Sequence, residues 1–400
     1  MPPDYRAPGV YVEELPSRRR TIEGVPTAIT AFVGRTPTGP ADVPRRVTSV
    51  SDFDSQYGGL AADCPLTYAV RQYFENGGTE AVIARIVHRD VDGHEDPSAP
   101  ITDADIVDPA LQATQHGLCL LDQVDLINLI CIPPLAPGVE VAPSTWNTAI
   151  RYAAARRAFV IVDAPAHWHS VSDAVAGVDA FVTRDSHAAV YFPRALAPDP
   201  LAANSPRPFA PCGAIAGLYA RTDRNRGVWK APAGLDANMR GITGLTVPIS
   251  DAENGTLNPL AINALRSFPG SGTVAWGART LAGADSLGSE WKYIPVRRTA
   301  LYIEESLHRG LHWVVFEPND EPLWAQIRVD VGAFIQNLFR QGAFQGTTPR
   351  EAYFVKCDRD TTTPTDINLG IVNVLVGFAP LQPAEFVLLR IQLSAGQTSI

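Results

Sequence analysis

Glu317, Asp320 and Glu321 stand together in the last third of the chain. Carboxylates this close can act as a general acid and base, or grip a hard cation. They equally suit the start of a helix, where unpaired N–H groups and the macrodipole favour negative charge. Leu323, Ile327, Val331, Phe334, Ile335 and Leu338 follow at helical spacing, with Pro322 in the first turn and Asn319 or Asp320 placed to cap. His167-Trp168-His169 offers two imidazoles, but no third ligand stands nearby, so a polar loop after a strand is the simpler reading. Gly283-Ala284-Asp285-Ser286-Leu287-Gly288 approaches a nucleophile elbow without its G-x-S-x-G spacing. Gly270-Ser271-Gly272 lacks the spacing of a dinucleotide loop, and no phosphate-cradling G-x-x-x-x-G-K-[ST] occurs. Cys64, Cys119, Cys131, Cys212 and Cys357 are scattered, odd in number and without a C-x-x-C, and read as reduced core thiols. The reading is of a protein that is not an enzyme and takes no cofactor or metal.

The elements that would position these residues alternate. Residues 28–34 read as a strand. Leu66, Ala69, Val70, Tyr73 and Phe74 recur at helical spacing, with Asp63 as a candidate cap and Asn76-Gly77-Gly78 as the stop. Residues 81–87 read as a buried strand. The polar, proline-containing stretch 89–117 marks a boundary. Beyond it the alternation resumes: an apolar strand within 117–132, a helix over 146–157, strands at 158–162 and 188–192 around a helix at 171–182. This predicts βαβ units and a mostly parallel sheet, an α/β fold of mixed α+β character. Residues 193–211, with six prolines, read as a loop, and 212–221 as a small-residue helix. Further on, 272–278 reads as a strand, 296–307 as a helix, and 312–316, 353–357, 371–379 and 385–393 as strands.

Composition narrows the function. The 400 residues hold 46% apolar and only 19% charged side chains, with 34 prolines and 31 glycines. A quarter charged is more usual, at about 25%. Net charge is −9, which argues against a general nucleic-acid binder. The basic triplet Arg18-Arg19-Arg20 is too short to change that, and suits either a solvated arm or a pairing with acidic groups on a partner. No secretory leader and no membrane-spanning stretch is read. Only Lys230, Lys292 and Lys356 are lysines among 33 basic residues. Lysine is depleted and arginine enriched in covered interfaces; a GC-rich codon preference has the same effect. The two ends are the features that need a partner. Val10, Tyr11, Val12, Glu13 and Glu14 form a proline-bounded strand with no nearby mate. Glu385, Phe386, Val387, Leu388, Leu389, Arg390 and Ile391 form a nearly continuous apolar strand. Open edges of this kind pair with other chains.

A set of segments resembles the contractile tail sheath family. The opening Tyr5-Arg6-Ala7-Pro8-Gly9-Val10-Tyr11-Val12-Glu13-Glu14 is similar to the start of such proteins, followed by 22–27 and 31–34. Residues 216–223 and 226–234 are similar to a middle signature, and Trp276-Gly277-Ala278-Arg279-Thr280-Leu281 to a later one. The most specific match runs from Trp313 through Glu317, Pro318, Asn319, Asp320, Glu321, Pro322 and Leu323 to Trp324. Residues 352–358 and Pro383-Ala384-Glu385-Phe386-Val387 complete the order. The resemblance implies stacked hexameric rings around an inner tube, with arms 1–27 and 381–400 adding strands to neighbouring copies. It implies an inner core of 28–89 plus 250–380, an inserted, more variable outer domain at 90–249, and hinges at 15–27 and 358–383. The implied partners are copies of the chain, the inner tube protein, and baseplate and terminal cap proteins. Nucleic acid is not contacted directly, and the target membrane is reached only by the assembled particle. Assembly in the bacterial cytoplasm is implied, in a virion tail or a phage-tail-like particle that is released. The compact length resembles the sheaths of injection particles more than the longest phage sheaths. A non-contracting tail component, or an α/β enzyme with an unrecognised site, stands as the alternative.

Overall fold

The computed structural model describes residues 21–90 and 94–386. The strand expected at 10–14, the triplet at 18–20 and residues 387–391 of the terminal strand lie outside them.

Strands in the first part of the chain are β1 (Thr30–Gly34), β2 (Arg45–Val47), β3 (Ala81–Arg85), β4 (Leu129–Cys131), β5 (Phe159–Asp163) and β6 (Ala188–Phe192). A hairpin of β7 (Ala195–Asp199) and β8 (Ser205–Phe209) follows, and then β9 (Ile262–Phe268) and β10 (Gly272–Ala275). Eight of these form one sheet in the order β10-β9-β6-β5-β4-β1-β3-β2. The six inner strands run parallel, and β2 and β10 close the two edges antiparallel. The chain lays β3 on one side of β1, then returns to lay β4, β5, β6 and β9 on the other. This is a doubly wound sheet whose order reverses between β1 and β4.

Both faces are covered, so the inner strands are mostly apolar on both faces rather than alternating, with Thr30, Arg85, Asp163 and Asn263 as buried polar exceptions. Along β5, Phe159 and Ile161 enter one core while Val160 and Val162 enter the other. The first core lies under α2 (Pro65–Glu75) and α5 (Cys212–Arg226), with Tyr73 and Tyr219 fully buried. The second lies under α3 (Pro143–Ala155) and α4 (Val171–Phe181), with Trp146 and Val178. Here α1 (Val50–Tyr57) completes the early part of the fold.

The chain divides into two compact units. The larger holds Val25–Glu305, Ala343–Gln345 and the segment from Pro380 on. The smaller holds residues 21–24, Ser306–Gly342 and Gly346–Ala379. The long helix α6 (Ile294–Gly310) contains the division. The smaller unit is built on α7 (Glu321–Arg340) and a two-stranded antiparallel sheet of β11 (Tyr353–Lys356) and β12 (Leu375–Phe378).

Several sequence expectations need correction. The strands of 90–249 stand as one block of the sheet, between those of 28–89 and those of 262–275, and all three blocks lie in the larger compact unit. The proline-rich stretch 193–211 is a hairpin. Pro198 and Pro206 face each other across it and β8 is an edge strand, so missing N–H groups disturb little of the ladder. Residues 312–316 are not a strand. His312–Val314 make a 3-10 turn and Phe316 takes a φ of +70°. Val315 and Phe316 have no partner strand among the described residues, and a short apolar run without one has no ladder to join. Cys119 lies in the 3-10 turn Gly117–Gln123, and only Leu129–Cys131 of that apolar stretch is strand. Asp63 does not cap α2. The cap position belongs to Cys64, without a side-chain bond, and Asp63 pairs with Arg35 at 2.6 Å. Glu385 and Phe386 are not in a strand.

Candidate functional site

The candidates for chemistry separate once they are placed. His167 and His169 are exposed on either side of the buried Trp168, with no metal-holding cluster of three His, Cys, Asp or Glu among the described residues. Ser286 is exposed, and its neighbour Asp285 is held by Arg279 at 2.9 Å and Lys292 at 2.7 Å. Those cations, Lys292 foremost, hold the Asp285 carboxyl below its ordinary range.

Doubly wound folds place ligands in the crevice at the carboxyl ends of the strands. Here that region holds a cavity of about 270 Å³ lined by Pro65, Tyr68, Pro133, Pro134, Arg194 and Phe209 among others. Its charges are spent on each other. Arg194 pairs with Glu140, and Asp199 accepts from the Tyr68 hydroxyl at 3.0 Å and from Arg207 at 2.8 Å. Just below, at the end of β5, Asp163 accepts from the Cys212 N–H at 2.8 Å, and its other oxygen is buried without a partner. Burial pushes its pKa up to about 6, against the lowering by the Cys212 bonds and Arg194.

Asp320 and Glu321 of the acidic cluster are engaged at the head of α7. Asp320 is the N-cap of α7, accepting from the Leu323 N–H at 3.2 Å. Asn319 accepts from the Trp324 indole N–H at 2.8 Å and donates to the Ile371 carbonyl at 3.0 Å. Glu321 pairs with Arg328 at 2.6 Å, and Arg328 also donates to the Cys357 carbonyl. Pro322 occupies the first turn, where its missing N–H costs nothing. Pro318 accepts from the Asp320 N–H at 3.0 Å. Glu317, Val315 and Phe316 are exposed, the last completely. The run from Glu317 to Trp324 therefore ties the head of α7 to the segment before β12 and turns an aromatic outward.

The smaller unit is unusually apolar outside. Phe354 on β11, Leu375 on β12, and Leu369 and Ile371 before it are all exposed. A two-stranded sheet with apolar groups outside is marginal alone.

The ends of the described chain are held by buried arginines. Thr27 donates its hydroxyl to Asp223 at 2.6 Å and its carbonyl accepts from Arg298 at 2.9 Å. Arg298 forks onto both Asp223 oxygens, at 3.0 and 2.6 Å. At the other end Arg279 forks onto Glu385, at 2.8 and 2.6 Å. Burial alone would lower the Arg279 pKa, but Glu385 and Asp285 carry it above its ordinary value.

Residues 127–281 match the phage tail sheath protein central domain, and 286–394 match the phage tail sheath C-terminal domain. The helical sheath of the anti-feeding prophage in its contracted state is 30% identical, with a TM-score of 0.74 over 97% of this chain and 99% of that one. The chain belongs to the phage tail sheath family. The sheath complex of the extracellular contractile injection system PVC, also contracted, is 26% identical at a TM-score of 0.75, over 98% and 99% of the two chains. The tail sheath protein of Vibrio phage KVP40 is 30% identical over 127 residues, 32% of this chain and 18% of that protein. The chain thus spans about a fifth of the length of that curated relative.

The sheath family is one of structural proteins, which fits charged groups that are spent on one another. Sequence reasoning placed Glu385 in a strand and passed over Arg298. Asp223 and Arg279 lay inside sheath motifs, and that was the available signal; their partners are distant in sequence and carry no local pattern.

Proposed function

We propose that this chain is the repeating subunit of a contractile sheath. Copies stack as hexameric rings around an inner tube, between a baseplate and a terminal cap, and the stack shortens to drive the tube through a target envelope. The observation that carries this reading is the 30% identity and TM-score of 0.74 to a helical sheath over 97% of the chain. The solved relatives include baseplate assemblies of the same system, which supports baseplate contact as well as self-contact.

The arms supply the links. Val10–Glu14 at one end and Phe386–Ile391 at the other add strands to the β11–β12 sheet of neighbouring copies and cover Phe354 and Leu375. This relieves both liabilities at once: open strand edges and exposed apolar groups. The motif Glu317–Trp324 then braces α7 behind that shared sheet. A head-to-tail contact that does not close on itself generates a helix. With no nucleotide motif in the chain, the work comes from the assembly, which is held extended until triggered. About 1–2 kcal/mol per subunit, the net worth of one or two hydrogen bonds, suffices when many copies move together. No bond-making step is needed and none is assigned. No helix among the described residues is long and apolar enough to cross a membrane; the particle is assembled in the bacterial cytoplasm and the envelope is met by the assembled particle.

Expression of the full chain followed by negative-stain microscopy tests the reading. Tubes or rings of uniform diameter are expected, and deletion of residues 1–15 or 387–400 should leave folded subunits that do not assemble. A monomer that is indifferent to both deletions overturns it.

A further inference from the structure

Arg279 and Glu385 are 106 residues apart in sequence. The guanidinium is 1% exposed and has no freedom to swing. Its Nε donates to Glu385 Oε1 at 2.8 Å and its Nη2 to Oε2 at 2.6 Å. Its Nη1 is taken by the Asn258 carbonyl and Asp285, each at 2.9 Å. The Arg279 backbone is fastened as well. Its N–H donates to Asn263 Oδ1 at 2.7 Å and its carbonyl accepts from Asn263 Nδ2 at 2.8 Å. Asn263 is a fully buried residue of β9, so Arg279 is a socket built on the central sheet. One residue past Glu385, Phe386 is 82% exposed. The chain goes from held to open within a single step.

On the N-terminal side Ile22 is already buried in the smaller unit against Gly310 of α6, and Thr27 is where the chain is first fastened by side-chain bonds within the larger unit. Arg298 forks onto Asp223, stands 4.7 Å over the Tyr219 ring, and binds the Thr27 carbonyl, while Asp223 takes the Thr27 hydroxyl. Both side chains of this ion pair are buried, at 3% and 5% exposure.

We propose that Arg279 and Arg298 are the anchors through which pull on the two arms enters the eight-stranded body. The inference rests on the reading of the arms as links between copies. A strand borrowed by a neighbour carries tension along its own backbone to the first point where the chain is held. Without the Arg279–Glu385 fork, tension on the C-terminal arm would run back to the single bridge between Pro380 and Phe344, and from there to β12, one strand of a two-stranded sheet. With it, tension is delivered at Glu385 to β9. Two parallel charge-assisted bonds resist shear better than one contact, and a buried pair is little weakened by salt.

The test uses Glu385→Gln in the full chain. The amide keeps the shape and one accepting oxygen, but sets an N–H donor against Nη2. The Thr27→Val variant removes only a hydroxyl and probes the other anchor with little risk to folding. Cleavage within 380–386 by a non-specific protease should rise by roughly tenfold in Glu385→Gln, and within 21–27 for Thr27→Val, while the amides of β5 and α5 keep their protection from exchange. Tubes of Glu385→Gln should form but lose subunits in urea at least about tenfold faster than wild type. Unchanged cleavage at 380–386, or tubes that dissociate at the wild-type rate, overturns the anchor. Truncation after Phe386 is the control. If truncation blocks assembly and Glu385→Gln behaves as wild type, the anchor alone is wrong. If truncated chains assemble normally, the linking role of the arm is wrong and the anchor falls with it.

Discussion

Gly213 of α5 lies directly on the backbone of Ala69 in α2. A Cβ at Gly213 would stand 2.1 Å from the Ala69 carbonyl oxygen, closer than any side-chain carbon can sit. One turn on, a Cβ at Gly217 would stand 2.3 Å from the Tyr73 carbonyl. The two helices therefore touch backbone to backbone over the sheet, and only hydrogen fits between them.

Gly213→Ala is the direct test. The added methyl gains helix propensity of about 1 kcal/mol but must push two helices apart. Overpacking costs about 1–3 kcal/mol where flexible side chains can yield, and here the obstacle is backbone. A net loss of about 2 kcal/mol or more is expected in urea unfolding. A melting temperature equal to wild type would contradict the close contact.

Asp163 gives a signed pH dependence. Its folded pKa, about 6, lies above the ordinary 3.8. The folded state therefore holds the proton more tightly. That contribution to stability is full below about pH 4 and is lost as pH rises through 6. Asp163→Asn keeps an oxygen for the Cys212 N–H and removes the buried charge. The variant should gain on the order of 2 kcal/mol over wild type at pH 8, and little at pH 4. Denaturant titrations at the two pH values read the difference. Equal gains at both would show that the charge is not the cause.

Arg298 and Asp223 form a buried pair that is costly to break and cheap to replace. Arg298→Met leaves Asp223 charged and unpaired, and a loss of about 3–5 kcal/mol is expected. Arg298→Met with Asp223→Leu removes both charges and should recover part of that loss. A double variant no better than the single one would show that packing around Tyr219, rather than the ion pair, holds the site. Calorimetric melting of the three chains decides this.

Asp320 separates the structural from the catalytic reading of the acidic cluster. Asp320→Ala removes a cap and should cost about 1 kcal/mol of stability. Asp320→Ser and Asp320→Asn restore a cap oxygen and should recover most of it. Failure of both to recover stability would mean that the carboxylate does more than cap α7.

Much of the fold was legible in the chain itself. The apolar-rich runs at 28–34, 81–87, 158–162 and 188–192 read as strands, and the helices between them pointed to parallel crossovers. The series from Leu323 to Leu338, with Asp320 before it and Gly342 after, located α7 because a helix start and a helix stop are local events. The sheath motifs carried the family in the same way, since they are short and contiguous. Other features lay beyond local reading. The prolines of 193–211 signalled a loop because nothing in the sequence says that Pro198 and Pro206 face each other at a hairpin edge. The place of the 129–192 strands in the middle of the sheet was not legible either, because strand order is not encoded locally; β4 finds β1 across about a hundred residues. Arg279 and Glu385, and Arg298 with Asp223 and Thr27, are joined only when the sheet brings distant segments together. An isolated arginine carries no sign of its partner. Sequence alone determined most of the elements and the family; tertiary structure decided what holds Thr27 and Glu385, because an ion pair between distant residues exists only after the chain has closed on itself.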